Sequence, residues 1–545
     1  MSAVVAVLLP LALMLVFPAP DRYRRIAIAL TPWAGVMLFM TLAFKPEVSL
    51  PWLLLGVTLR VDSVNQPLIL LTAVAWNLSA WFAWKTIERD RRWFWSGWLG
   101  ALSGMSLLLL AGDIASFYVG YAMLSLSAYL LITHEHNPQA WRAARVYLVM
   151  AFLGEAAILS GLLIMAGTIG NAEFSDFPLH LDALAGSKAR WFLLVGFAVK
   201  MGVFPLHLWL PLAHPVAPVP ASAILSGVIV KAGLMGWLRF VPGLPNDPVW
   251  IGWTLIGIGF FTAFGGVFVG LAQQRIKVVL AYSTISQMGL ILSAFGLTIM
   301  LPDRRDGLLA VIGFMALHHG LNKAALFLAC GSSLAVGRMG TALFALPALS
   351  LAAFPLSSGF LAKNALKHQI YGSEAQILIT ILALSSTATA WLLWHAWQLA
   401  RNTHSRNPSL QPSWIILVAA GLLLPWAWAT SHNLTEPLGI HPVWMSIWPL
   451  ILTAGLVSAE AVFSRRTAWR IPEGDLVVIT EKFARWLPHL NAQHERAHRP
   501  HSHLFDLLHR FQGLFEHYQR SIQLTGLAAL ILIGLLWLTL WYQQF

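Results

Sequence analysis

The sequence predicts an all-α polytopic membrane protein of about 14–16 transmembrane helices, with inverted five-helix repeats and two broken helices. Three observations carry that prediction. Hydrophobic residues make up 58% of the 545 and charged residues 11%, with a mean hydropathy of +0.68. A soluble domain carries about 25% charge. Apolar runs of roughly 20 residues, the length that crosses a bilayer, follow one another almost end to end, without the short alternating segments of a barrel. Finally, two of these runs are interrupted by proline next to a lysine, and they lie an odd number of spans apart, so their surroundings point opposite ways across the membrane.

The spans lie near 3–18, 26–44, 63–84, 95–111, 114–132, 146–168, 190–210, 219–240, 249–271, 278–299, 308–336, 341–370, 376–399, 413–430, 443–463 and 521–542. The loops between them alternate in charge. DRYRR (21–25), KTIERDRRW (85–93), the stretch from His134 to Arg145, QQRIK (273–277), ARNTHSR (400–406) and SRRTAWR (464–470) are basic. NAEFSDF (171–177) and the loop around Asp247 are acidic or neutral. Basic loops stay in the cytoplasm, which puts both termini outside a bacterial cytoplasmic (inner) membrane. The first span lacks a basic leader, so no cleavable signal peptide is expected. The single Cys330 excludes a disulfide framework. The net charge of +12 sits mostly in short loops, which fits membrane topology and a lipid partner rather than nucleic acid. Abundant tryptophan, 26 residues, suits anchoring at the bilayer interface.

The expected organisation is 1–94, N-terminal transmembrane helices; 95–400, a core with the inverted repeats; 401–470, C-terminal transmembrane helices; 471–520, an amphipathic cytoplasmic segment; and 521–545, a last helix. The 471–520 segment holds His489, His494, His498, His501, His503, His509 and His517. It reads as an amphipathic helix on the membrane surface or against a partner. No cysteine and few carboxylates join the histidines, so no metal site is assigned.

Ionisable groups inside spans are costly and normally face water or a partner. The central spans carry Glu155, Lys200, Lys231, His318, His319, Lys323 and Lys363. They form a row rather than one site. Buried lysine and histidine titrate near neutrality, which suits proton transfer through water. His319 and Lys323 are four apart, on one helix face. Pro205 and Pro211 break span seven beside Lys200, and Pro355 breaks span twelve beside Lys363. With Pro215, Pro218 and Pro220 they free backbone carbonyls that need polar partners. Asp113, His207 and His214 stand at span ends as secondary candidates, and Glu460 lies near another.

FAVKMGVFPLHLWLPLAHPVAPVPASAILSGVIVKAGLMGWLRF (197–240) closely resembles the signature of the antiporter-like, proton-translocating subunits of respiratory complex I. QQRIKVVLAYSTISQMGLIL (273–292) and HHGLNKAALFLACGS (318–332) are two further signatures in the right order. The first of these three is most similar to the membrane-bound hydrogenase and formate-hydrogenlyase branch. IPEGDLVVITEKFARWL (471–487) is similar to the Mrp cation/proton antiporter branch. The resemblance implies that Lys200 is a lysine that pairs with a carboxylate and releases its proton load. It makes Lys231 a connecting lysine, His319 and Lys323 the central pair, and Lys363 the terminal lysine exchanging protons with the outside. The family's glutamate on the fifth helix falls at Ala122 here, and Glu155 on span six is expected to take over its pairing with Lys200.

The chain has no haem, flavin or Fe–S ligand pattern, so no cofactor is expected in it, and it is not by itself an oxidoreductase. The expected partners are other membrane subunits, with Fe–S, hydrogenase- or dehydrogenase-like subunits among the candidates. Three alternatives stay open: a Mrp-type Na⁺(K⁺)/H⁺ antiporter subunit, a proton-coupled partner of an inorganic-carbon uptake protein, and a scaffold that has lost conduction.

Overall fold

A computed structural model describes residues 1–17, 20–177, 188–241, 248–331, 337–401, 410–435, 440–463, 471–472 and 478. The chain divides into the units Met1–Asp475 and Leu476–Phe545. The expected helix over 521–545, the basic loop 464–470 and, save for three residues, the histidine-rich segment 471–520 lie outside the described residues.

The apolar runs form helices in the predicted order: α1 (Ser2–Leu15), α2 (Asp21–Phe44), α3 (Gln66–Thr86), α4 (Arg91–Leu110), α5 (Ile114–Thr133), α6 (Pro138–Ile169), α7 (Ala189–Met201), α8 (Trp209–Val216), α9 (Val219–Phe240), α10 (Val249–Leu271), α11 (Ile276–Met300), α12 (Arg305–Ala329), α13 (Gly337–Leu351), α14 (Ser358–Ile370), α15 (Leu378–Arg401), α16 (Pro412–Ser431) and α17 (Ile440–Phe463). Among the described residues 12 helices are long and apolar enough to cross a membrane unaided. The short α1 and the pairs α7/α8 and α13/α14 complete the sequence of crossings. This is a multi-pass helical membrane protein.

The two pairs are the broken helices. Between α7 and α8 the chain turns at Gly202, whose φ of +71° suits glycine. Pro205 lies in that break, and Phe204 N donates to Thr262 Oγ1 at 3.2 Å. Pro211, expected to be a breaker too, instead sits in the first turn of α8. First-turn amides have no intrahelical acceptor, so a proline costs little there. Between α13 and α14 the break contains Pro355 with Ala353 and Leu356 both left-handed, at φ 62°. Because α7 and α13 start on opposite faces of the alternating bundle, the two breaks are inverted.

Close helix contacts depend on small residues, since lipid offers no hydrophobic drive between helices. Gly252 and Gly266 on α10 recur along one face. A Cβ on Gly252 would lie 2.9 Å from Gly296 O of α11, and one on Gly266 3.1 Å from Tyr282 O. Gly154 and Gly196 do the same for α6 and α7: a Cβ on Gly196 would lie 2.7 Å from Gly154 O. Burial then sorts the helices. The apolar windows of α11 and α12 are 100% buried and that of α9 94%, whereas α6 is 33% and α17 17% buried. So α9 and α12, the carriers of Lys231, His318, His319 and Lys323, form the interior together with α11, while α6 and α17 lie on its outside.

Three features differ from expectation. The stretch from His134 to Arg145 is mostly helix: Asn137 caps α6 by accepting from Ala140 N at 2.8 Å, with Pro138 in its first turn. Residues Glu47–Leu50 and Val57–Arg60 form an antiparallel hairpin, β1 and β2. That hairpin is tied to the bundle by Asp113, which accepts from Thr58 N at 2.9 Å while capping α5 through Ser116 N at 2.9 Å. The third is a buried ion pair at the same face. Arg239 at the end of α9 meets Asp62 at 2.6 Å, with its guanidinium 5.1 Å from the Phe174 ring centre. Removing Arg239 leaves Asp62 only the more distant Arg60, at 3.8 Å, and part of its surface in solvent. Arg239→Met should therefore lower stability by about 2 kcal/mol, and thermal unfolding in detergent will read it.

Candidate functional site

Lys200, Lys231, Lys323 and Lys363 are all buried. Among the described residues none lies within ion-pair distance of a carboxylate. Each ammonium is held by hydroxyls or backbone carbonyls beside an irregularity in its helix or the next.

Lys200 ends α7 at the break. Its Nζ donates to Ser125 Oγ at 2.6 Å and Tyr147 Oη at 3.2 Å. The rings of Tyr121 and Tyr147 lie 5.3 Å away, close enough for cation–π attraction. The carbonyl of Val199, freed where the helix stops, accepts from Trp209 Nε1 at 2.8 Å. The expected pairing with Glu155 is not a direct contact, since no carboxylate among the described residues is within ion-pair distance of Lys200. The half-buried Glu155 keeps its buried Oε1 without a hydrogen-bond partner.

Lys231 follows a π-helical turn, Leu225–Ile229, that the sequence did not announce. Widening the helix there frees carbonyls, and Lys231 Nζ donates to Ser226 O at 2.8 Å. Ser226 Oγ meets Thr284 Oγ1 of α11 at 2.6 Å, and Thr284 Oγ1 donates to Leu280 O at 3.1 Å. Lys323 Nζ of α12 donates to that same oxygen at 2.8 Å. Polar atoms of Ser226, Thr284 and Leu280 thus lie between Lys231 and Lys323, with Ser226 contributing its carbonyl to one side and its hydroxyl to the other. His319 is buried one turn before Lys323, with neither ring nitrogen hydrogen-bonded.

His318 faces the second break. Its Nδ1 meets Ser358 Oγ at 2.8 Å, and Ser358 Oγ meets Ser350 Oγ at 2.8 Å across the interruption. Asn322 Nδ2 donates to His318 O at 2.9 Å. Lys363 on α14 donates to Ser385 Oγ at 3.1 Å and Ser386 Oγ at 2.8 Å on α15.

The structure does not gather every candidate into one cluster. Asp113 is committed to the helix cap and hairpin described above. His207 stacks on Phe204 within the first break, ring centres 4.9 Å apart. His214 stacks on Phe327 at 4.5 Å, with both nitrogens buried and unpaired. Glu460 accepts from Trp391 Nε1 at 2.9 Å near the surface. Sequence reasoning missed Ser125, Tyr147, Ser226, Thr284, Ser385 and Ser386. Their only signal was the presence of hydroxyls in otherwise apolar runs.

Comparisons with known proteins agree with this architecture. The family model described as NADH:quinone oxidoreductase/Mrp antiporter, TM, matches residues 111–389. Hydrogenase-4 component B of Escherichia coli (strain K12) is 33% identical over 297 residues, 52% of this chain and 44% of that protein. An NAD(P)H-quinone oxidoreductase chain 4 of Thermosynechococcus vestitus is 30% identical over 346 residues, covering 59% of this chain and 62% of that one. The chain therefore spans about half the length of the curated relatives it matches. A chain in the structure of the Mrp complex from Dietzia sp. DQ12-45-1b shares the fold, with a TM-score of 0.74 at 19% identity over 96% of this chain and 63% of that one. A chain of the archaeal membrane-bound sulfane sulfur reductase does likewise, with a TM-score of 0.67 at 20% identity over 82% of this chain and 99% of that one. With the matched family region covering more than half of its 545 residues, the chain belongs to the NADH:quinone oxidoreductase/Mrp antiporter membrane family.

Proposed function

We propose that this chain moves protons through the row Glu155, Lys200, Lys231, His319, Lys323, His318 and Lys363, as a subunit of a multisubunit complex in the bacterial cytoplasmic membrane. The observation that carries the reading is the set of polar atoms of Ser226, Thr284 and Leu280 that lies between Lys231 and Lys323 inside buried helices. A lysine carries three donors when charged, and among the described residues Lys231 and Lys323 have one hydrogen-bond acceptor each. Such an ammonium either recruits water or gives up a proton, and both alternatives serve conduction. Residues 95–400 hold the conducting core in this reading. The flanking helices, the segment 471–520 and the helix expected at 521–545 serve assembly, with both termini outside.

The chain supplies no redox chemistry of its own in this account and holds no cofactor. The likeness to a hydrogenase component and to quinone oxidoreductase chains supports a complex in which Fe–S-bearing or dehydrogenase-like partners drive the transport. The test is purification of the tagged full chain with its accompanying subunits in mild detergent, metal analysis, and proton flux after reconstitution into liposomes. Iron in the preparation with flux coupled to electron transfer supports the redox-driven reading. Flux that needs Na⁺ or K⁺ on the opposite side, without iron, assigns an antiporter. A co-purified zinc protein assigns carbon uptake, and absence of any flux leaves a scaffold.

Glu155 takes the part of the carboxylate missing at Ala122. Glu155→Gln should cut proton flux by at least about tenfold, the scale of one charge acting on a buried partner. Unchanged flux in the same liposome assay removes Glu155 from the path.

A further inference from the structure

Glu155 and Lys200 sit level with one another because Gly154 and Gly196 let α6 and α7 touch backbone to backbone. Nonetheless the ammonium and the carboxylate are not within ion-pair distance. The ammonium rests on Ser125 Oγ at 2.6 Å and Tyr147 Oη at 3.2 Å. Both hydroxyls have their own donor hydrogens engaged elsewhere. Tyr147 Oη donates to Ser125 O at 3.0 Å, and Ser125 Oγ donates to Tyr121 O at 3.2 Å. Their lone pairs are thereby aimed at the lysine. Across from this seat, Glu155 Oε1 is buried and unpaired. A small cleft of about 10 Å³, room for roughly one water, lies alongside, lined by Tyr121, Tyr147, Gly154, Val199, Lys200 and Trp209 among others. The titratable groups facing the pair are Tyr118 and Tyr121 from α5 and Tyr147 from α6. Among the described residues no titratable group of α9 acts on either.

We propose that Ser125 and Tyr147 form a neutral berth for the Lys200 ammonium that competes with Glu155, and that the ammonium exchanges between the two. This rests on the proton-translocating reading above and adds positioning residues to it. A hydroxyl berth and a carboxylate differ in charge, so occupancy of the berth decides whether Glu155 is ion-paired or free to take a proton. Removing the berth leaves the ammonium one strong acceptor. Glu155 then stays ionised and paired to lower pH, and turnover slows.

The test compares the full chain, in its purified complex, with its Tyr147→Phe form. Infrared difference spectra read the protonated carboxyl band of Glu155, assigned by its loss in Glu155→Gln. Liposome flux gives the pH profile. Tyr147→Phe is expected to move the appearance of that band, and the acid limb of the profile, down by about one pH unit, the size of one lost hydrogen bond to a charge. Ser125→Ala, which keeps the Tyr147 bond to the Ser125 carbonyl, should move both the same way and serves if Tyr147→Phe does not assemble. Ser160→Ala, on the exposed side of the same helix, should move neither. Band and profile unchanged in both berth variants overturn the proposal. A band that shifts in complexes whose flux is nil retains the berth and overturns the translocating function instead.

Discussion

Replacing Lys200 by alanine is expected to bring proton flux down by about 10²-fold or more, the scale of losing a group that gives and takes the transferred proton. The complex should still assemble. Tyr147 Oη keeps its bond to Ser125 O, Ser125 Oγ keeps Tyr121 O, and Trp209 still holds the carbonyl of Val199. Removing an ammonium also removes the cost of burying it, which offsets the cavity left by the truncated side chain. Flux in reconstituted liposomes and subunit content on a native gel check the two halves of the prediction. Loss of the complex would make Lys200 a structural residue.

Lys363→Ala should stop steady-state flux to the same degree, by a different route. Lys363 lies beyond the second break, among hydroxyls of α15, and the row before it does not depend on its contacts. Ser385 retains its bond to Leu382 O. The variant should therefore still take up a proton from the inner side after a pH jump, roughly one per chain, and then fail to release it across the membrane. A pH-indicator dye separates these outcomes: Lys200→Ala is expected to lose the uptake as well, and Lys363→Ala only the release. Equal behaviour of the two variants would contradict a path running in the order proposed.

The positions of the ionisable residues, the helix spans and the two interruptions were legible in the sequence, because each rests on a strong local rule. A bilayer demands long apolar runs, proline breaks them, and a charge inside one needs a reason. The hydroxyls that hold the lysines were not legible. Serine and threonine in a helix satisfy themselves by bonding back to a carbonyl three or four residues earlier, as Ser125 and Thr284 do. They therefore cost little on any face, and nothing local marks Ser226 or Ser386 as different from the half-buried Ser160. The π turn before Lys231 escaped for a similar reason. SGVIVKAG reads as ordinary helix, and the extra residue in the turn is absorbed by packing against α12, where Gly227 lies against Gly320 O.

Apolar length, charge alternation in the loops and breaker residues thus determined the all-α membrane fold and the rank of candidate groups, since these depend on neighbours along the chain and on the solvent around it. The partners of each group were decided only by the tertiary structure. Lys200 could reach Glu155 or Ser125 and Tyr147 with equal ease on the evidence of spacing; the rotation of α5 and α6 about their axes set it on the hydroxyls. Asp113 and Arg239 became a cap and an ion pair because a hairpin between α2 and α3 presents Thr58 and Asp62 to them. Helix rotation and long-range contact are products of how whole surfaces pack, and no local stretch of sequence carries that information.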